Sequence, residues 1–254
     1  MFERIAATLA FACVVIASMP LRARADEAGY LYSYAISDAR YDDRLVSLDA
    51  YKPLGAPHSL RIYIDALASQ DSRTANGAVP QIFADNYALG ALGVQFTTAA
   101  GFRAFAQVGE SVPLGSVAAV RSGGDLRAGI QLYREWAEKP SPTQSYGNLY
   151  ASTTYLSRYS DWIVYSQLEA GRHLFTPAVD LFARGTITLD SRGYYYSNLA
   201  EVTLGIRYRP FGIHGPAFSL ERVAGSYLRN AERPADTGAL YDDFRPTITF
   251  GRNL

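Results

Sequence analysis

The clearest pattern in this 254-residue chain lies between positions 201 and 209. The stretch reads Glu201-Val202-Thr203-Leu204-Gly205-Ile206-Arg207-Tyr208-Arg209. Its even positions are apolar or aromatic, and its odd positions are polar, charged or glycine. Because successive side chains of a β-strand point to opposite faces, this alternation predicts a strand with one apolar and one polar face. A helix would put Leu204 and Arg207 on the same stripe, which argues against that reading.

The same period of two recurs along the chain, for example in Leu60 to Ala66, Phe102 to Val108, Leu126 to Leu132 and Val179 to Leu189. Clusters of turn-forming residues separate these runs. We predict about twelve strands, near residues 30–36, 43–51, 59–68, 83–97, 101–110, 125–136, 146–158, 161–173, 177–189, 197–209, 217–228 and 244–250. The sequence gives no sign of a helix or an interdomain linker after residue 25, so residues 26–254 are predicted to form a single domain.

The first 25 residues have the layout of a cleaved signal peptide. Arg4 precedes an apolar run from Ile5 to Met19, and a small-residue cleavage pattern ends at Ala25. That run is shorter than the roughly 20 residues that a membrane-spanning helix needs. The single cysteine, Cys13, lies inside it, so the exported chain is expected to contain no disulfide.

Charge and composition exclude some classes of partner. The chain carries 24 basic and 24 acidic residues, so no excess of positive charge is available to bind nucleic acid. Its 19 tyrosines are typical of surfaces that are apolar on one side and wet on the other. Hydrophobic residues make up 48%, which excludes a disordered chain.

Long strands with one apolar face, together with a signal peptide, indicate a membrane protein. Several predicted strands reach the roughly 9–11 residues that a tilted spanning strand requires. In lipid, a sheet must close on itself to pair every backbone group. We therefore predict an all-β fold, an antiparallel transmembrane β-barrel of about 12 strands in the outer membrane of a Gram-negative bacterium. A soluble periplasmic β-sandwich that binds a ligand is the alternative, because its strands alternate in the same way.

Two sets of side chains are assigned by this prediction. Aromatic residues near strand ends are expected at the membrane interfaces: Trp136, Tyr155, Trp162, Tyr208, Phe211 and Phe250. Charged residues of the polar faces are expected to face the lumen, because charges facing lipid are costly. They are Arg61, Asp65, Arg103, Arg127, Glu135, Glu169, Asp180, Arg184, Glu201, Arg207, Arg209 and Glu221. Their two signs nearly balance, which fits either a narrow polar conduit for a sugar polymer contacted by Tyr63, Tyr133 and Tyr165, or an interior that only stabilises the wall.

The second half of the chain also resembles a known family. The stretches that carry the resemblance are Tyr150 to Tyr159, Asp161 to Tyr165, Glu169 to Arg172, Leu204 to Phe211 and Phe218 to Arg222. A Gly-x-Arg-Tyr-Arg-Pro-Phe strand followed by a strand ending Ser-Leu-Glu-Arg resembles the C-terminal β-barrel domain of bacteriophage N4 adsorption protein A, over roughly residues 145–230. The resemblance implies a non-enzymatic outer-membrane barrel that acts as a surface receptor or in exopolysaccharide passage. Its implied partners are outer-membrane lipid, the barrel-assembly machinery, and a surface polysaccharide or a phage.

Catalytic motifs are weak. The three histidines, His58, His173 and His214, have no metal-ligand spacing, and we expect no catalytic residues, no metal and no cofactor. His58 beside Ser59 leaves an outer-membrane lipid-ester hydrolase as an alternative. Gly129 and Gly205 are expected to let their strands bend.

Overall fold

The computed structural model describes residues 29–38, 43–54, 59–72, 86–114, 122–137, 143–192, 198–212, 215–228 and 238–253. Twelve β-strands make up nearly all of them. In chain order they are β1 (Tyr30–Asp38), β2 (Asp43–Leu54), β3 (Leu60–Asp71), β4 (Tyr87–Thr97), β5 (Phe102–Pro113), β6 (Gly123–Ala137), β7 (Ser145–Leu156), β8 (Asp161–Leu174), β9 (Thr176–Asp190), β10 (Leu199–Tyr208), β11 (Ala217–Tyr227) and β12 (Leu240–Asn253). Among the described residues, no helix is long and apolar enough to cross a membrane.

The strands form one closed barrel. Each pairs antiparallel with its neighbours in sequence, and β1 pairs with β12 to close the ring. The predicted antiparallel barrel is therefore confirmed. We call the end where β1 begins and β12 ends the terminal end, and the opposite end the loop end. Membrane barrels have short turns on the periplasmic side and longer loops outside. At the terminal end β8 and β9 are joined by Phe175 alone, whereas residues 72–86 join β3 to β4 at the loop end.

The distribution of side chains is inverted relative to a soluble protein. Large apolar residues lie on the outside, with Leu60 66% exposed and Leu204 62% exposed. Polar residues are buried inside, and Asp71 and Asp180 have no exposed surface. A soluble barrel or sandwich would bury the first set and expose the second. The alternative of a soluble β-sandwich is therefore wrong, and the outer surface is suited to hydrocarbon.

Most strand boundaries lie within three residues of those predicted, and the starts of β4 and β12 differ by four. β12 begins at Leu240 rather than at 244, because Asp242-Asp243 resembles a turn in sequence but continues the pairing with β11. β4 begins at Tyr87, and the predicted start at 83 falls outside the described residues. The predicted signal peptide, residues 1–25, also lies outside them and stays a prediction.

Candidate functional site: the barrel lumen

Alternation places the predicted lumen charges on the inner face of the barrel. All twelve occupy the same side of their strands as the buried polar residues, with Arg209 directly after β10. Charged side chains on strands that are separated by one other strand can thus contact each other over the curved inner wall. Whether they line a conduit stays a prediction.

Six of these charges form one network, which we call the arginine cluster. It consists of Arg184, Arg207 and Arg209 with Glu169, Asp180 and Glu221. Arg207 on β10 donates to both carboxylate oxygens of Glu169 on β8 at 3.0 Å. Arg184 donates to Glu221, and Arg209 to Asp180. Three positive charges meet three negative ones, so the cluster is neutral and its buried carboxylates are compensated.

An aromatic ring packs against the wall beside this cluster. The ring of Phe182 lies 4.2 Å from the guanidinium of Arg207 and covers Gly205. A Cβ atom at position 205 would overlap that ring. Gly205 therefore makes room for an inner aromatic side chain, a role that we did not assign to it from the sequence.

A second network lies near the loop end. Arg245 contacts Glu201 at 2.7 Å, Asp243 at 2.8 Å and Asp38 at 3.2 Å. Tyr241 donates to Glu201 at 2.7 Å. Of these residues, only Glu201 was predicted to face the lumen. Extending the alternation upstream of position 244 would have found Tyr241 and Asp243, whereas Arg245 lies within the predicted strand 244–250 but was not assigned to the lumen.

An open cavity of about 720 Å³ lies in the lumen beside the arginine cluster, whose Arg184 lies on its border. We call it the tyrosine cavity, because eight tyrosines line it: Tyr30, Tyr32, Tyr34, Tyr51, Tyr63, Tyr87, Tyr150 and Tyr165. Predicted lumen charges also reach it, namely Asp65, Arg103, Arg127, Arg184 and Glu201. Tyr133 does not line the cavity and instead donates to Glu135 at 3.2 Å.

Tyrosine rings and amides order the wall of this cavity. The ring of Tyr51 lies 5.2 Å from that of Tyr30 and 5.1 Å from that of Tyr63. Tyr51 donates to Gln95 at 2.5 Å, and Tyr63 donates to Gln107 at 2.8 Å. The hydroxyl groups are therefore held in place while the ring faces border the open space. Such a surface offers both stacking and hydrogen bonding to a ligand.

The six predicted interface aromatics lie at strand ends, outside the lumen. Tyr155 and Trp162 lie at the loop end with their ring centroids 5.4 Å apart. Trp136, Tyr208, Phe211 and Phe250 lie toward the terminal end. Phe175, 88% exposed in the turn between β8 and β9, extends this second group and was missed because the sequence suggested no turn of one residue. Two groups of aromatic rings separated by an apolar band are typical of membrane barrels.

The histidines give no catalytic arrangement in the described part of the chain. His173 packs against the ring of Tyr146, with 5.4 Å between ring centroids. His58 and His214 lie outside the described residues, and Ser59 is exposed before β3. Among described residues, no group of three histidine, cysteine or carboxylate side chains could hold a metal ion.

Comparisons with known proteins assign the chain to no family. No family model matches the chain, and no curated relative matches it. Among solved structures, LpxR from Salmonella typhimurium is 12% identical, with 88% of this chain and 99% of that chain covered and a TM-score of 0.39. A bacterial polysaccharide outer membrane secretin is 10% identical, covering 91% and 100%, with a TM-score of 0.40. The beta domain of the Bordetella autotransporter BrkA is 13% identical, covering 89% and 97%, with a TM-score of 0.36.

At this level of similarity, none of these proteins informs the function of the chain. The class is defined by the closed ring of twelve strands, the exposed apolar belt and the polar lumen. The protein is a transmembrane β-barrel of the outer-membrane type.

Proposed function

We propose that this barrel is a non-enzymatic protein of the bacterial outer membrane that provides a narrow conduit for a surface polysaccharide. The observation that carries the proposal is the tyrosine cavity, with a volume of about 720 Å³. Flat phenol faces suit the apolar faces of sugar rings, and fixed amides and hydroxyls suit sugar hydroxyls. The resemblance to the C-terminal domain of bacteriophage N4 adsorption protein A supports the same role.

The charge pattern of the lumen also favours a neutral cargo. Each arginine of the arginine cluster is paired with a carboxylate of the cluster. Arg127 is likewise paired with Asp125, at 2.9 Å. A conduit for ions of one sign would carry an excess of the opposite sign along its wall. A neutral or weakly charged sugar chain meets no strong field in such a lumen.

Planar-bilayer recording tests the conduit. The purified barrel is expected to give stepwise conductance that neutral maltodextrins reduce from either side. Tyr150→Ala and Tyr165→Ala remove rings that line the cavity and are expected to raise the conductance and weaken the block. Tyr155→Ala, on the outer face, is the matched control and should change neither. A correctly folded barrel that insulates the bilayer would eliminate the conduit.

A receptor role for the outer surface, for a phage or a polysaccharide, is the second outcome of this experiment. An insulating barrel that still adsorbs phage or polysaccharide to whole cells would favour it.

Cell fractionation and N-terminal sequencing of the mature protein test the outer-membrane location and the cleavage after Ala25. A lipase activity abolished by Ser59→Ala would contradict the non-enzymatic assignment.

A further inference from the structure

The seam between β1 and β12 is the least extensively paired in the described barrel. It contains seven residue pairs, whereas the other seams contain nine to twelve. Its pairing ends toward the loop end at Ile36 and Thr247. The next residue of β12 is Pro246, which has no N–H to donate. Ser37 and Asp38 continue β1 but pair only with β2 within the described residues.

Side chains bridge the part of the seam where the backbone pairing stops. Arg245 on β12 contacts Asp38 on β1 at 3.2 Å. Both residues line the tyrosine cavity, together with Ile36 and Thr247. An ion pair between side chains can separate by changes of rotamer, whereas separating paired strands leaves backbone groups unsatisfied in lipid. The seam can therefore open here with less disruption than elsewhere in the ring.

The outer surface near this seam is largely apolar and carries an exposed ion pair between β11 and β12. Arg222 on β11 contacts Asp242 on β12 at 2.5 Å, and their side chains are 75% and 53% exposed. Both point outward, next to Phe244 and Leu204. Charge on the lipid face of a barrel is costly within the hydrocarbon region. The ion pair at this position can bind a polar headgroup on the outer wall, close to the point where the β1–β12 backbone pairing stops.

We propose that the loop-end half of the β1–β12 seam is a lateral portal for a membrane amphiphile. The polar headgroup enters the tyrosine cavity between Asp38 and Arg245, while the alkyl chain stays in the membrane against Phe244. This route is independent of the axial conduit, since it needs an opening in the wall and not a continuous lumen. The ligand class follows from the two surfaces that the portal connects, which are a cavity of hydroxyls and amides and an apolar outer face.

Fluorescence quenching in vesicles tests the portal. The two native tryptophans are first replaced, as Trp136→Phe and Trp162→Phe, because both lie outside the barrel. A reporter tryptophan is then introduced beside the seam (Ile36→Trp) or on the β8 wall of the cavity (Tyr165→Trp). The vesicles are phosphatidylcholine with a small fraction of lipid carrying a nitroxide on its headgroup. The nitroxide is expected to quench the reporter at position 36 more strongly than the reporter at position 165.

Sealing the seam should remove this difference. One sealed variant is Ser37→Cys/Pro246→Cys in oxidised form, which adds the only cysteines to residues 26–254. The other is Pro246→Val, which restores a backbone N–H and does not depend on disulfide formation. Ala35→Cys/Ile248→Cys is the matched control, because these residues are already paired on the same seam. It should leave the quenching unchanged.

The portal is overturned if the nitroxide quenches both reporters equally, or if stronger quenching at position 36 survives in both sealed variants. Heat-modifiable gel mobility confirms that each variant is folded before it is measured. Bilayer conductance of the sealed variants separates this proposal from the conduit, because sealing should not reduce axial conductance.

Discussion

The arginine cluster and the tyrosine cavity occupy the same lumen but use its volume differently. In both, a side chain bonds to a residue two strands away: Arg207 on β10 reaches Glu169 on β8, and Tyr51 on β2 reaches Gln95 on β4. Guanidinium groups paired with carboxylates project into the lumen and fill it. Tyrosine rings lie against the wall, as Tyr63 does over Gly93, and leave an open space beside them. Alternation alone thus fixes which residues face inward, and the choice of side chain fixes whether the interior is filled.

The largest effect that separates the two regions is expected from Glu169→Ala. Glu169 is 4% exposed and is the partner of both Arg207 and Arg184. Its removal leaves two partly buried guanidinium groups undercompensated and should lower the free energy of unfolding by about 3–5 kcal/mol. Urea unfolding in detergent, followed by heat-modifiable mobility, measures this loss. Glu169→Gln keeps the shape of the side chain and should retain part of the stability. An alanine variant whose free energy of unfolding is nearly that of the wild type would mean that the cluster does not stabilise the barrel wall.

A smaller loss is expected from Gly205→Val. The new side chain would overlap the ring of Phe182, which in turn contacts Arg207. Displacing that ring should cost about 1–3 kcal/mol, as overpacking of a filled interior generally does. The control is Gly90→Val on the outer face, where a Cβ atom meets no neighbour within 4 Å. Equal stability of the two variants in the same unfolding assay would show that the filled side tolerates extra volume.

The smallest effect is expected from Tyr51→Phe in the tyrosine cavity. The change removes the hydrogen bond to Gln95 but keeps the ring contacts with Tyr30 and Tyr63. A loss of about 1 kcal/mol is expected, because the adjoining open space lets water reach the amide. A loss of unfolding free energy as large as that of Glu169→Ala would mean that the side chains of both regions stabilise the barrel equally. The contrast between the two regions would then be wrong.

The sequence allowed the strands and their inner faces to be predicted, because a period of two is a local property. The run from Glu201 to Tyr208 lies in β10 with Arg207 facing inward, as the alternation requires. The partners of these residues could not be predicted in the same way. Glu169 and Arg207 meet 38 positions apart, and their contact depends on how the intervening strands are staggered around the ring. The role of Gly205 also depended on a neighbouring strand, since its open space is occupied by Phe182.

The single-residue turn at Phe175 has a consequence for how the barrel assembles. β8 and β9 share twelve residue pairs across this turn, and β7 and β8 share twelve across residues 157–160. Closing such short connections costs little chain entropy, so this three-stranded meander is expected to form first when the chain reaches the membrane surface. The β1–β12 seam joins the two ends of the strand order and must form last. The last step of barrel assembly is therefore the closure of the β1–β12 seam, which has the fewest backbone pairs to stabilise it.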